Sequence, residues 1–516
     1  MLISCLPLSL SLLFSHTLTP NPPFQPKNGP PYPAKPWQIP LIHHSPNCLH
    51  KNGWHDVAGA LTFQATHHVF QGCPASGGWS HAASSDLVHW EDRGIHVSQI
   101  QETYKGMDSL SSPCSGFVSL NDQGVPCAGF RQCSSSKGVV KLNPNAQPWD
   151  VPMEIRCSEN EQLTNWSLPT FIYPVYYYRA LPYDPVRPWI DFDGKWYSAL
   201  STDGCNSTTK KLPCAAGGRL DLFRADHFNG PWLQINPMFT TNVTYRGFGH
   251  PEPGHITREF VTSGYFGGLI GDPDNGKTRI VTQNNGGATF WVGKQSNGST
   301  FLPYWDTPGA VGYYDYGTLT MARTLGSDPN QVAKNGRRVL IGWIGGTPAS
   351  QSLARELTLS STHEMLQQFV PELKSLRKNG RGTNVSAQVE LVATFIAPTG
   401  KSGIHIMCDT ISCGSIISID CSENVMQGDF KECMVGVGDT TAPLLLQKEG
   451  KVVSDVSVHA IVDGEIIEVI FNNRTAMVVY QSAPRSLMTG VSIFAPAGVD
   501  ASITTWDLEK SGLRYA

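Results

Sequence analysis

Apolar and polar residues alternate along most of this chain with a period near two, the spacing of a strand and not of a helix. Runs such as "GALTFQATHHVFQ" (59–71), "CSGFVSLND" (114–122), "GKWYSALST" (194–202), "RRVLIGWIGG" (337–346) and "IIEVIFNNRTAMVVYQ" (466–481) are rich in β-branched and aromatic residues. Clusters of Gly, Asn, Asp and Pro separate them, so the pattern predicts many short strands joined by turns. A helical period is nearly absent. The clearest exceptions are "STHEMLQQFVPELKSLRK" (361–378), which fits a short helical piece or a strand pair, and the region around "LGSDPNQVAKNG" (325–336).

Length and composition turn this pattern into an architecture. At 516 residues the chain exceeds one ordinary domain, and 50 Gly, 37 Pro and only 16% charged residues favour an all-β protein. The charged and β-branched alternation after residue 380 covers a tail of about 135 residues, the size of a β-sandwich. The expected organisation is therefore a Pro-rich arm at 21–37, a catalytic module at 38–378 and a C-terminal sandwich at 385–516. A first module of roughly 340 residues is too large for a single sandwich, and radial blades of about four strands each absorb that length as a propeller. The net charge of −4 offers no basic face for nucleic acid. Residues 1–20 carry an apolar run of signal-peptide length, too short to span a bilayer, so the expectation is an exported protein with no membrane segment. Sequons at Asn165, Asn206, Asn242, Asn297, Asn384 and Asn473 make N-glycans expected. Without Cys5, twelve cysteines remain, eight between Cys48 and Cys214 and four between Cys408 and Cys433. That partition suggests two separately bridged domains; spacing leaves the pairing open.

Propeller active sites draw one residue from each of several inner strands, so catalytic carboxylates should lie far apart in sequence. Asp56 in "GWHDVAG", Asp184 in "LPYDPVRPW" and Glu252 in "FGHPEPGHI" satisfy this, although each alone also reads as turn chemistry. Their neighbours add a resemblance. "GWHDVAG" resembles the motif W-x-N-D-P-N-G of glycoside hydrolase family 32, and "HHVFQ" follows it with Gln71 at the strand end. "GWSHAASSDLVHWED" is similar to W-G-H-A-x-S-x-D-L-x-x-W, "CSGFVSLND" to the S-G-S-A strand with Ser115 in register, "YDPVRPWIDFDGKWY" to R-D-P-x-x-x-W with D-G-K-W, and "HPEPG" to E-C-P. "YYDYGTLTMART", "RRVLIGWIGG" and "QQFVPELKSLR" continue the order into the tail.

The resemblance implies a five-bladed β-propeller followed by a β-sandwich, and a secreted, retaining β-fructofuranosidase acting on sucrose or a fructan-type oligosaccharide. Asp56 would be the nucleophile, Glu252 the general acid/base and Asp184 the stabiliser of the transition state. Gln71, Ser115, Trp54 and Trp79 would contact sugar, and so would Asp315, whose alternative is a strand-end turn. Each tryptophan, Trp343 included, reads equally as core. No metal or organic cofactor is called for. The chain departs from the family at His55, Val57 and Ala58 around Asp56, at Tyr183 where the motif has Arg, and at Pro253. The alternatives are a fructosyltransferase that uses the same covalent intermediate and, because of these changes, a non-catalytic sugar-binding propeller. Arg179 or Arg187 could replace the missing guanidinium, but on a regular strand Arg187 faces away from Asp184 unless the prolines bend the chain. "GDPDNGKT", with Asp272 and Asp274, reads as a hairpin turn through Asn275-Gly276. The pairs His43/His44 and His67/His68 are not spaced for one metal.

Overall fold

A computed structural model describes residues 40–45, 56–73, 78–97, 100–104, 107–111, 113–132, 153–168, 170–172, 182–202, 219–240, 262–283, 289–296, 300–325, 336–345, 350–378, 388–408, 413–427, 430–448, 451–480 and 490–511. The all-β expectation holds. The first sheet contains β1 (Val57–Phe63), β2 (Thr66–Cys73), β3 (Gly78–Ser84) and β4 (Glu91–His96), in that order, and a separate hairpin of β5 (Ile100–Tyr104) and β6 (Met107–Ser111) follows. The second contains β7 (Pro113–Leu120), β8 (Pro126–Gln132), β9 (Met153–Cys157) and β10 (Thr170–Ile172). In the third, β11 (Pro182–Pro185) is followed by β12 (Trp189–Ile190), β13 (Trp196–Thr202), β14 (Arg219–Ala225) and β15 (Leu233–Thr240), with β12 paired beside the main path. The fourth contains β16 (Thr262–Gly267), β17 (Thr278–Gln283), β18 (Thr289–Ser296) and β19 (Thr300–Pro303), with β20 (Val311–Tyr313) on β18. The fifth contains β21 (Leu319–Leu325), β22 (Arg338–Ile344), β24 (Arg355–Leu359) and β25 (Met365–Phe369), with β23 (Ser350–Gln351) on β22.

The first strands of these sheets touch one another in a closed cycle, β1 to β7 to β11 to β16 to β21 and back to β1. Five meandering sheets whose inner strands close a ring form a five-bladed propeller. Its stability lies between the blades. One apolar cluster fills each gap, as in Trp79 and Phe70 against Phe130 between blades one and two, or Val57 and Ala60 against Leu325 and Ile341 between blades five and one. Because both faces of a blade are covered, β3 is buried at all seven positions although it includes Ser80, His81 and Ser84.

After a 3-10 turn at Pro371–Leu376 the chain builds two five-stranded sheets. One holds β26 (Gln388–Phe395), β33 (Val456–Asp463), β34 (Ile466–Phe471), β35 (Thr475–Tyr480) and β37 (Ala501–Asp507); the other holds β27 (Lys401–Cys408), β28 (Cys413–Gln427), β29 (Phe430–Val437), β30 (Thr440–Leu445) and β36 (Gly490–Phe494). A short ribbon of β31 (Gln447–Lys448) and β32 (Lys451–Val452) lies between them in sequence. Their facing side chains, among them Leu391, Ile404, Ile417 and Val469, form a single core, which makes this a β-sandwich. The segment "STHEMLQQFVPELKSLRK" resolves into β25 followed by the 3-10 turn, while most of "LGSDPNQVAKNG" lies outside the described residues. Disulfides Cys127–Cys157 and Cys421–Cys433 each stay within one sheet, the first on adjacent propeller strands and the second in the sandwich.

Candidate active site

All five innermost strands break register with their neighbours. The shifts fall between Val57 and Gly59, Pro113 and Gly116, Pro182 and Pro185, Thr262 and Gly264, and Thr320 and Arg323. A bulge bends a strand and re-aims the side chains next to it. Three residues singled out in the sequence stand at these shifts: Asp56 immediately before the first, Ser115 within the second and Asp184 within the third. The backbones of all three thus lie near the starts of neighbouring inner strands, β1, β7 and β11, although they are far apart in sequence. Gly59, Gly116, Arg187, Gly264 and Arg323, one from each blade, line a channel between the inner strands.

Asp56 is half-buried, and its carbonyl accepts the Gly72 N–H at 2.8 Å, so the first rung of the β1–β2 ladder fixes its backbone. Two of the departures around it turn out to be packing residues. Val57 joins the core between blades five and one, and Ala58 the core between blades one and two. Strand alternation sends Val57 and Ala58 to opposite blades, and the extra residue at the β1 bulge puts Ala60 on the side of Val57 and Leu61 on the side of Ala58. Arg187 lies beyond the last residue of β11, between Pro185 and Pro188, and reaches the channel. Glu252, Trp54 and Arg179 lie outside the described residues.

Three of the residues expected to contact sugar are buried among protein groups. Trp79 is 0% exposed, edge-on to Phe130 at 5.3 Å in the gap between blades one and two. Asp315 is fully buried. Its Oδ1 accepts the N–H of Gly317 at 2.8 Å and of Val478 at 3.0 Å, and its Oδ2 accepts from Arg355 at 2.9 Å, so it closes a turn and ties the propeller to the sandwich. Burial pushes its carboxyl up, against the pull of the Arg355 guanidinium. Gln71 is 2% exposed and donates through Nε2 to Gln351 at 3.3 Å. It latches blade one to blade five, and the Gln351 N–H in turn donates to the His44 carbonyl at 2.7 Å. Trp343 is half-buried on β22, opposite Thr320 and Gln351.

The remaining pairs resolve as structural. Asn275 and Gly276 have φ of 54° and 86°, and Asp272 accepts the N–H groups of Asp274, Gly276 and Thr278, making the expected hairpin turn. His67 bonds Thr62, whereas the ring of His68 bonds that of His81 at 2.9 Å. Arg323 and Gln351 join the residues singled out by motif; a lone arginine inside the apolar run "LTMARTL" is the sequence signal for the first.

No protein-family model matches the chain, and comparison with curated proteins finds no match. Solved structures do share its fold. Fructan 1-exohydrolase IIa from Cichorium intybus superposes with a TM-score of 0.68 at 15% identity, over 92% of this chain and 98% of that one, and was also solved in complex with 1-kestose. An exo-inulinase from Aspergillus awamori gives 0.67 at 16% identity, over 92% and 99% of the two chains. A Bombyx mori family 32 β-fructofuranosidase, as a variant in complex with sucrose, gives 0.63 at 14% identity, over 92% and 95%.

Proposed function

We propose that this protein is a retaining β-fructofuranosidase that cleaves sucrose or fructan-type oligosaccharides. The observation that carries the reading is the position of Asp56, Ser115 and Asp184 on the backbone, near the bulged starts of three neighbouring inner strands of the propeller. Retention requires an ionised carboxylate as nucleophile and a protonated carboxyl roughly 5 Å from it. Asp56 attacks the anomeric carbon while Glu252 protonates the leaving oxygen, and the fructosyl unit becomes esterified to Asp56. Glu252 then takes a proton from water, or from a sugar hydroxyl in transfer, as that oxygen displaces Asp56. Asp184 holds fructose hydroxyls as charge builds on the ring. The fold shared with fructan hydrolases and β-fructofuranosidases supports the substrate class. Packing roles for Val57 and Ala58 also weaken the case for a non-catalytic binder, because two of the altered positions fill cores between blades.

Export belongs to the same proposal. The disulfides among the described residues suit an oxidising compartment, and sequon residues Asn165 and Asn473 are exposed.

The test is incubation of the wild type, Asp56→Asn and Glu252→Gln with sucrose, a short inulin and a levan, quantifying fructose, glucose and longer products. Release by the wild type that disappears in both variants supports the mechanism, and a fructose to glucose ratio below one on sucrose reveals transfer. A folded wild type that turns over none of the three refutes it.

A further inference from the structure

We propose that Arg323 is the positioning residue of Asp56, an inference that rests on Asp56 being the nucleophile. The observation is a reversal of strand parity. On a regular strand Leu319, Ala322 and Arg323 could not face as they do, since residues three apart fall on opposite sides. Here Leu319 and Ala322 both enter the core between blades four and five, while Leu325 enters the core between blades five and one. The cause is the extra residue in β21, where Met321 and Ala322 together oppose Gly342 and Met321 has φ of 47°. Side chains after the bulge are thereby switched to the β1 side. Arg323 consequently donates from Nε to the carbonyl of Val57 at 3.1 Å, and is only 7% exposed.

This bond completes a clamp. The Asp56 carbonyl is held by Gly72 and the next carbonyl, that of Val57, by Arg323, so the peptides on either side of Val57 are anchored from two blades. The clamp also crosses the joint between the first and last blades, where any opening of the ring would displace Asp56 from the other carboxylates. The guanidinium that forms it also lines the channel, so a positive charge is held at the carbonyl of the residue that follows Asp56. Arg323 therefore sets both where the carboxylate points and how readily it stays ionised.

Glutamine and methionine substitutions separate the two contributions. A glutamine Nε2 stands the same number of bonds from the backbone as the arginine Nε, so Arg323→Gln can keep the hydrogen bond without the charge; Arg323→Met loses both. Arg323→Met should lower kcat about 10- to 100-fold with KM within about threefold, the scale expected of a small misplacement. The acid limb of its kcat/KM profile should move to higher pH. Arg323→Gln should show the same limb shift with kcat at least about fivefold above that of Arg323→Met. Thermal unfolding of each variant gives the folded fraction. A wild-type acid limb in Arg323→Met, with a kcat loss that follows the folded fraction, would reduce Arg323 to a structural residue, and equal kcat in the two variants would remove the role of the hydrogen bond. The titration of carbon-13-labelled Asp56, assigned by difference with Asp56→Asn, is read independently of turnover: an unchanged midpoint in Arg323→Met overturns the claim that Arg323 keeps Asp56 ionised, whereas absence of wild-type turnover bears on the enzymatic reading alone.

Discussion

At the scale of single residues, composition announces chemistry but burial decides it. Trp79 and Asp315 have the side chains that bind sugars, and both stand beside motif residues. Yet the first is a wedge between blades and the second a turn closure with both oxygens engaged. The distinction is measurable. Trp79→Ala removes a fully buried indole that packs on Phe70 and Phe130, so unfolding free energy should fall by about 3–5 kcal/mol. KM at temperatures where the variant is folded should change by less than about twofold, because the lost contacts are all with protein. Urea denaturation with substrate kinetics checks both figures. A large rise in KM with intact stability would return Trp79 to the sugar site.

At the scale of strands and blades, the period-two alternation was legible because each strand has two faces with different neighbours, and the turn residues punctuated it. Asn275-Gly276 is where the pattern places a hairpin, and the backbone there adopts the two positive φ angles such a turn needs. The bulges were not legible. One extra residue in β1 or β21 leaves composition unchanged and merely shifts the phase, so Arg323 reads from sequence as a neighbour of Leu319 and stands instead against β1. For the same reason the sequence placed Asp56 in a motif but could not show what anchors it. Burial on both faces hides further information, as in β3, where polar residues occupy positions as enclosed as its alanines. One glycine records how tightly the inner strands approach. A Cβ at Gly116 would lie 2.0 Å from the Gly129 carbonyl oxygen and 2.9 Å from the Phe130 Cα, atoms of the paired backbone that cannot swing aside. Gly116→Ala should therefore destabilise the protein by about 3 kcal/mol, at the upper end for overpacking. A loss below about 1 kcal/mol in equilibrium denaturation would mean that the second blade shifts freely at its bulge.

At the scale of the whole molecule, a buried charge network joins the N-terminal segment, the fifth blade and the sandwich. Both ring nitrogens of His43 face carboxylates, Nδ1 toward Asp463 at 2.8 Å and Nε2 toward Glu468 at 3.0 Å, and Glu468 and Asp315 share Arg355. Burial alone would lower the His43 pKa, but the hydrogen bonds and charges of Asp463 and Glu468 outweigh it and raise it to about 9. Elsewhere burial wins. His44 and His68 are lowered to about 4, and His81, bonded to His68 and near His96 and Arg93, well below its ordinary value. The two groups act on stability with opposite sign. A raised folded-state pKa gives His43 a stabilisation that is complete below the unfolded value of 6.5 and disappears as pH rises through about 9. The depressed histidines are neutral in the folded protein while the unfolded chain takes up protons, so their contribution is lost as pH falls from 6.5 toward 4. Thermal stability should consequently peak near pH 6.5. His43→Gln should lower the peak and flatten the alkaline limb, whereas His68→Gln should flatten part of the acid limb and leave the alkaline one intact. Melting temperatures at half-unit steps from pH 4.5 to 9.5 decide it. An alkaline limb unchanged in His43→Gln would show that the joint between propeller and sandwich does not depend on an imidazolium.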